Sequence, residues 1–296
     1  EAARLVRFAQ YNPQGQPPSE MLTTDAPITL DELRARRLEP LGLGEPAGSE
    51  AAEPPPIGTG LPFPDGGTLQ PGTVVLVAGV AGMGATTVAL RMAFDAARGG
   101  WTVVGREAAT VPATVDCFAG IRSQVLAELA VRALGGASAA MPPGLPVHFH
   151  PPAAGLTAVE RFADALSAST LSRPPRILLI DAIERLESSC VTRQAARRVA
   201  RRIHHIAMST QSVVLVTTSL ASPDLEHRAP QPCLDDLEEW RPMHDQAIST
   251  LLLYRDGYFY PQPKRPNLLE VYEVSRCDQV RLHTLPWGEA GLFPLN

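Results

Sequence analysis

Apolar residues fall into short runs that alternate with longer amphipathic stretches from about residue 58 onward. The runs predict β-strands near 73–78, 101–105, 176–181, 212–217, 248–254 and 269–274, and the amphipathic stretches predict helices near 86–98, 114–134, 156–171 and 192–209. This alternation is typical of a twisted, mainly parallel sheet flanked by helices. The last two strands follow each other without a helix, which favours an antiparallel pair.

The first 58 residues differ, because they are rich in Pro, Gly, Glu and Ala. We interpret residues 1–58 as a proline-rich arm with one short helix at about 29–38, and residues 59–296 as one α/β domain. Thr29 is suited to cap that helix, and Asp31 suits its first turn. The arm is a candidate contact for a protein partner.

Composition sets broad limits on the class of protein. The chain has 296 residues, 45% of them hydrophobic, which is enough to bury a full core. Its four cysteines form no CxxC pair, which favours a reducing cytoplasm, and no apolar stretch approaches the roughly 20 residues that span a bilayer. Lys264 is the only lysine, so the positive charge is almost all arginine.

Residues 79–87 read GVAGMGATT, a phosphate-binding loop that lacks its lysine. The pattern is Gly-x-x-x-x-Gly-Lys-Ser/Thr, and Ala85 stands in the lysine position. Glycines let backbone N–H groups surround phosphate oxygens, and the hydroxyl helps to hold Mg²⁺. Loss of the lysine is expected to reduce hydrolysis more than folding. The candidate phosphate-binding residues are Gly79, Gly82, Gly84, Ala85, Thr86 and Thr87.

Two acidic residues follow predicted strands. Asp181 ends the apolar strand RILLID, the Walker B arrangement that places a carboxylate beside Mg²⁺, so Thr86 and Asp181 are the candidate metal contacts. Glu107 follows the second predicted strand and is a candidate for activating a water molecule. Each has a structural alternative: an aspartate at a strand end also caps the next segment, and a loop glutamate is often only solvated.

Residues 58–285 resemble the ATPase domain of DnaB-type replicative helicases. The motifs that carry the resemblance are GTGL before the loop, LQPGTVVLVAGVAGMGATT, LLID and the late block PQPCLDDLEEWRPMHDQAISTLLLYRDGYF. The resemblance implies a RecA-like fold, ATP or ADP with Mg²⁺, a role in DNA replication, contact with single-stranded DNA, and a homo-oligomeric ring, commonly a hexamer, with nucleotide between subunits. It also implies that Glu107 activates the water and that Arg276 is an arginine finger.

Several positions depart from the family pattern. Besides Ala85, Val274 stands where a second cationic interface residue is expected, Ser219 replaces a sensor glutamine, and Gln231 replaces an arginine. We therefore expect a degenerate, pseudo-ATPase member that binds nucleotide and hydrolyses it weakly or not at all. Two alternatives stay open: a non-enzymatic ring or docking module, and an active helicase carrying an engineered lysine knock-out.

The helix predicted at 192–209 carries a cluster of arginines. Repeated cations neutralise nucleic-acid phosphates without reading sequence. The alternative is a solvated helix face whose arginines pair with neighbouring acids. The residues concerned are Arg193, Arg197, Arg198, Arg201 and Arg202.

Overall fold

The structure, a computed structural model, describes residues 28–29, 57–58, 68–103, 106–109, 112–119, 145–150, 155–168, 175–187, 192–222, 230–260, 262–288 and 291–292. Its strands are β1 (Ile28–Thr29), β2 (Ile57–Gly58), β3 (Thr68–Leu69), β4 (Val74–Val80), β5 (Gly100–Val103), β6 (Arg106–Ala109), β7 (Thr114–Ala119), β8 (Val147–Phe149), β9 (Arg176–Asp181), β10 (Val213–Leu220), β11 (Ser249–Tyr254), β12 (Leu268–Ser275), β13 (Val280–Gly288) and β14 (Gly291–Leu292). Its helices are α1 (Ala85–Arg98), α2 (Leu156–Ala168), α3 (Ile183–Leu186), α4 (Arg193–Thr210), α5 (Arg241–His244) and α6 (Asp256–Phe259), with a 3₁₀ segment, η1 (Leu234–Trp240).

Ten strands form one sheet in the order β1-β8-β7-β9-β10-β4-β11-β12-β13-β14. The six strands from β8 to β11 run parallel, and β1, β12, β13 and β14 add antiparallel pairings at the two sides. This is the mainly parallel sheet expected from the sequence, and the antiparallel pairing of β11 with β12 is confirmed.

The connections put helices on both faces of the sheet. The chain moves from β4 through α1 toward β7 in one direction, and from β9 through α4 to β10 in the other. Because crossovers between parallel strands are right-handed, α1 and α4 cover opposite faces. The segments α2, η1 and α5 all pack against α4.

Most predicted elements agree with the structure to within a few residues, but one predicted helix begins as a strand and one predicted strand lies outside the main sheet. Residues 114–119, predicted to begin a helix, form β7 between β8 and β9, and the remainder of that predicted helix lies outside the described residues. β7 is buried on both faces from Val115 to Ala119, and its buried Asp116 is paired with Arg176 and His150, so it lacks the polar face of a half-exposed strand. Periodicity alone does not separate such a run from a helix.

The strand predicted at 101–105 is present from residue 100 to 103, but it does not join the main sheet. Residues 100–103 and 106–109 instead pair as a separate antiparallel hairpin, β5 with β6, outside the ten-stranded sheet. The predicted arm helix is largely outside the described residues: Ile28 and Thr29 pair with β8, and 30–38 are not described. No helix in the described part of the chain is long and apolar enough to cross a bilayer.

Candidate functional site

The loop between β4 and α1 has the backbone of an anion-binding turn. Gly82 has φ +90° and Gly84 has φ +102°, a region that residues with a Cβ rarely adopt. Gly84 directly precedes α1, and no side chain caps the helix start. The N–H groups of the first turn have no partner within the helix, and no side chain caps them. They lie at the positive end of the helix dipole, where an anion is favoured.

Two residues that follow β11, together with Trp287 of β13, contact this loop. Tyr258 donates a hydrogen bond to the carbonyl of Ala81 (2.9 Å), and Arg255 donates to the carbonyl of Gly82 (2.9 Å). The Arg255 guanidinium also lies over the ring of Trp287, 4.5 Å from its centroid. Burial lowers the pKa of Arg255, and the electron-rich ring face offsets part of that cost by attracting the cation.

Trp287 and Gly84 are in close approach. A Cβ placed on Gly84 would lie 2.4 Å from Cη2 of Trp287, well inside the van der Waals distance. Two separate reasons therefore favour glycine at this position. Its backbone conformation is one that residues with a Cβ rarely adopt, and the indole ring occupies the space where a Cβ would lie.

Asp181 ends β9 beside the start of α1 and is 2% exposed. Its Oδ1 accepts hydrogen bonds from the Thr86 and Thr217 hydroxyls, each at 2.7 Å. The Thr217 hydroxyl in turn accepts from the N–H of Ala182 (2.7 Å). Burial raises the pKa of the Asp181 carboxyl, the hydrogen bonds from Thr217 and Thr86 lower it, and the nearby Glu184 charge raises it further.

Glu184 lies in α3, immediately after β9. Its two carboxylate oxygens accept hydrogen bonds from the Ser219 hydroxyl (2.7 Å) and the Thr218 hydroxyl (3.2 Å). Ser219 pairs in register with Gly79 at the end of β4. Glu184 is therefore fixed at the same edge of the sheet as the glycine loop and Asp181.

These groups fit a magnesium–phosphate site with one exception. A threonine hydroxyl and an aspartate carboxylate are oxygen ligands that Mg²⁺ accepts, and Thr86 and Asp181 are already within hydrogen-bond distance. Thr87 is partly buried in the same first turn of α1. The exception is Ala85, which packs against the core and offers no cation.

Arg276 lies at the opposite end of the parallel strands from the glycine loop, near the residues where β4 and β11 begin. Its guanidinium donates to the carbonyls of Ala247 (3.0 Å) and Gln246 (3.1 Å), in the turn before β11. The first residue of β11, Ser249, pairs with Val75 near the start of β4, whereas the glycine loop follows the end of that strand. At about 3.3 Å per residue the two ends are roughly 16 Å apart, so Arg276 does not approach the loop of its own chain.

Glu107 is not placed beside Asp181 by a strand of the main sheet. It lies opposite Thr102 in the β5–β6 hairpin, and the strand next to β9 on that side is β7. Its proposed role stays a prediction. Val274 is 2% exposed and pairs with Thr250 and Val280 inside the sheet, which suits an apolar residue at that position.

The arginine cluster of α4 divides into two groups. Arg202 is held by Glu160, through contacts of 2.6 and 2.7 Å, and approaches Glu187 at 3.5 Å. Arg193, Arg197, Arg198 and Arg201 are exposed. Pairing with acids therefore accounts for Arg202. The four exposed arginines are compatible both with contact to nucleic-acid phosphates and with a solvated helix face.

A cavity of about 580 Å³ lies elsewhere and is lined by residues that include Tyr254 of β11 and Glu270 and Tyr272 of β12. Its carboxylates already have partners, because Tyr254 donates to Asp256 (2.7 Å) and Tyr272 donates to Glu270 (2.8 Å). The glycine loop, not this cavity, brings together the residues suited to phosphate.

The sequence analysis missed several of these contacts. Thr217 and Glu184 had a local signal: a run of hydroxyl residues ends β10, and an acid stands three positions after Asp181. Tyr258 and Trp287 had none, because only the pairing of β11, β12 and β13 brings them to the loop.

Comparisons with known proteins agree with this geometry at the level of the fold. No family model matches the chain, and neither does any curated protein. Among solved structures, the ATPase domain of G40P matches with a TM-score of 0.58 at 17% identity, over 77% of this chain and 86% of that one. A DnaB-like replicative helicase, solved for its interactions with primase, matches with a TM-score of 0.59 at 16% identity, over 74% of this chain and 56% of that one.

The fold and the loop together define the class of protein. This chain has the RecA-like P-loop fold, with the glycine loop at the carboxyl end of a central parallel strand. Its fold is similar to that of the ATPase domain of G40P and to part of a DnaB-like replicative helicase.

Proposed function

We propose that this chain binds ATP or ADP with Mg²⁺ at the loop between β4 and α1, and that it hydrolyses nucleotide weakly or not at all. The observation that carries the proposal is the 2.7 Å hydrogen bond between the Thr86 hydroxyl and the Asp181 carboxylate. These two groups would hold Mg²⁺, which supplies the positive charge that bridges phosphate oxygens. The backbone of Gly79, Gly82 and Gly84, with the first turn of α1, would hold the phosphates.

Weak hydrolysis follows from Ala85. The lysine of a P-loop reaches the β- and γ-phosphates and compensates the charge that develops during transfer. Alanine is neutral and too short to replace it. Phosphate binding relies on backbone groups that this chain retains. We therefore expect nucleotide binding to be retained although hydrolysis is weak or lost.

The position of Arg276 supports a site shared between subunits. Its separation from the glycine loop of its own chain leaves the loop of a neighbouring copy as the site that an arginine finger would serve. Resemblance to DnaB-type helicases implies a ring, commonly a hexamer, and we propose that form of assembly here. Glu107 stays the proposed water-activating residue, and the exposed arginines of α4 are the proposed contact with single-stranded DNA.

A docking module without nucleotide is the second candidate. Two observations favour it: Ala85 lacks a cation, and Val274 is part of the buried sheet. Partner binding in the absence of nucleotide would distinguish this candidate. A helicase whose lysine was removed by engineering is the third, and it predicts DNA unwinding once a lysine stands at position 85.

The experiment that tests the proposal is calorimetric titration of the full chain with Mg²⁺ and ATPγS, with mass followed by light scattering. We expect saturable binding and a shift to a larger assembly. Asp181→Asn is the matched control, because it keeps the shape of the site and removes a carboxylate ligand of the metal. Absence of binding up to millimolar ligand would reject nucleotide binding in favour of the docking module.

A further inference from the structure

Glu184 is a second carboxylate at the edge of the sheet that carries the glycine loop. Its oxygens are fixed by the hydroxyls of Ser219 and Thr218, and the β10–β4 pairing sets Ser219 opposite Gly79. Asp181 ends the neighbouring strand, three residues earlier in the chain. Glu184 stands in the first turn of α3, and among the described residues its hydrogen-bond partners are two strand-end hydroxyls.

The charges at this edge are unbalanced. Asp181 and Glu184 contribute two carboxylates, and they lie near enough for the Glu184 charge to act on Asp181. Ala85 removes the motif's lysine, the usual compensating cation, and the Arg255 guanidinium at the loop is engaged by the carbonyl of Gly82 and the ring of Trp287. Arg185 also acts on Asp181, but its side chain is exposed, so water and salt weaken its effect.

The terminal phosphate is the part of a nucleotide on which the excess negative charge of Asp181 and Glu184 would act. In P-loop proteins Mg²⁺ bridges the β- and γ-phosphate oxygens, and the metal is held by the loop threonine and the Walker B aspartate. A γ-phosphate bound with Mg²⁺ at Thr86 and Asp181 would therefore lie on the side of the loop where Asp181 and Glu184 are found. A diphosphate carries less negative charge and ends before that position.

We infer that Glu184 determines nucleotide preference at this site, favouring a nucleoside diphosphate over a triphosphate by repelling the terminal phosphate. This inference rests on the proposed function, since it requires that the loop binds nucleotide. Ser219 and Thr218 both donate to the Glu184 carboxylate, so removal of one of these hydroxyls leaves the charge in place and held by the other.

The test compares the affinities of the full chain for Mg²⁺-ADP and Mg²⁺-ATPγS by calorimetry. We expect ADP to bind about tenfold more tightly, the scale of one partly solvated charge–charge contact. Glu184→Gln keeps the size of the side chain and removes its charge, so the two affinities should come within about threefold, mainly through tighter ATPγS binding. Ser219→Ala is the matched control: it removes the 2.7 Å hydrogen bond, keeps the charge and should keep most of the preference.

Each outcome bears on the inference. Equal affinities in the native chain, or an unchanged ratio in Glu184→Gln, would overturn it and leave nucleotide binding standing. Equal loss of preference in Ser219→Ala would show that the hydrogen bond acts, not the charge, and would also overturn it. Absence of binding by either nucleotide would reject the proposed function and this inference together. If Glu184→Gln does not fold, the native ratio is measured in rising salt, which should narrow it; a salt-independent ratio would overturn the inference.

Discussion

The Thr217 hydroxyl joins two neighbouring strands at the candidate site, because it accepts from the N–H of Ala182 and donates to the carboxylate of Asp181, both at 2.7 Å. Ala182 has φ +55°, so the chain turns sharply there as it leaves β9. One hydroxyl thus holds both the acid and the turn that follows it.

Replacing Thr217 with valine should lower the free energy of unfolding by about 1–3 kcal/mol, because the partly buried N–H of Ala182 and the buried carboxylate of Asp181 each lose a partner. Urea denaturation measures the change. Thr210→Val is the matched control: its hydroxyl is also buried but donates to the carbonyl of Ile206 in its own helix, so its removal should cost less. Equal losses would show that Thr217 has no special role.

Asp181→Asn should stabilise the protein in the absence of Mg²⁺ at neutral pH. Burial raises the pKa of Asp181, so protonation stabilises the folded state; that contribution is complete below the ordinary value of 3.8 and is lost as pH rises through the folded-state pKa. The variant should therefore melt above the native protein at pH 7, and the difference should shrink toward pH 4.

Thermal melts followed by circular dichroism at several pH values test this. Addition of Mg²⁺ with nucleotide should then raise the melting temperature of the native chain but not that of Asp181→Asn. Glu239→Gln, which removes an exposed charge, controls for net charge. A variant that melts below the native protein at pH 7 would contradict the expectation.

Gly84→Ala should lower the free energy of unfolding by roughly 1–3 kcal/mol, through its φ of +102° and the collision with Trp287. Trp287→Ala in the same chain should recover only the steric part, so the two substitutions should not be additive. Chemical denaturation of the single and double variants measures this coupling. At Gly257 a Cβ would meet nothing closer than 3.7 Å, so Gly257→Ala should have a small effect.

Ala85→Lys should tighten binding of Mg²⁺-ATPγS by about tenfold or more, and that of ADP by less, because the lysine reaches the β- and γ-phosphates. ATP turnover should rise as well. Ala85→Met, similar in length but uncharged, separates charge from reach. If the lysine variant binds ATP but turns over no faster, the loss of hydrolysis extends beyond this residue.

The sequence predicted those parts of the site that are contiguous in the chain. β4, the glycine loop and α1 form one motif, and Asp181 ends a strand of obvious apolar character. By contrast, β7 was mistaken for a helix because a strand buried on both faces has no alternation. The contact of Trp287 with Gly84 depends on strand pairing at the far end of the chain, which no local pattern encodes.

The separation of Arg276 from the glycine loop places the two halves of the proposed shared site on different surfaces of the chain. If the arginine of one copy meets the loop of the next, the two copies use different surfaces, and the contact is head-to-tail. A copy with Arg276→Ala would still accept a neighbour at its loop while contributing nothing to the following copy. In a mixed population each such copy would therefore silence one site, the loop of the following copy, while its own loop would still be served by an unaltered neighbour.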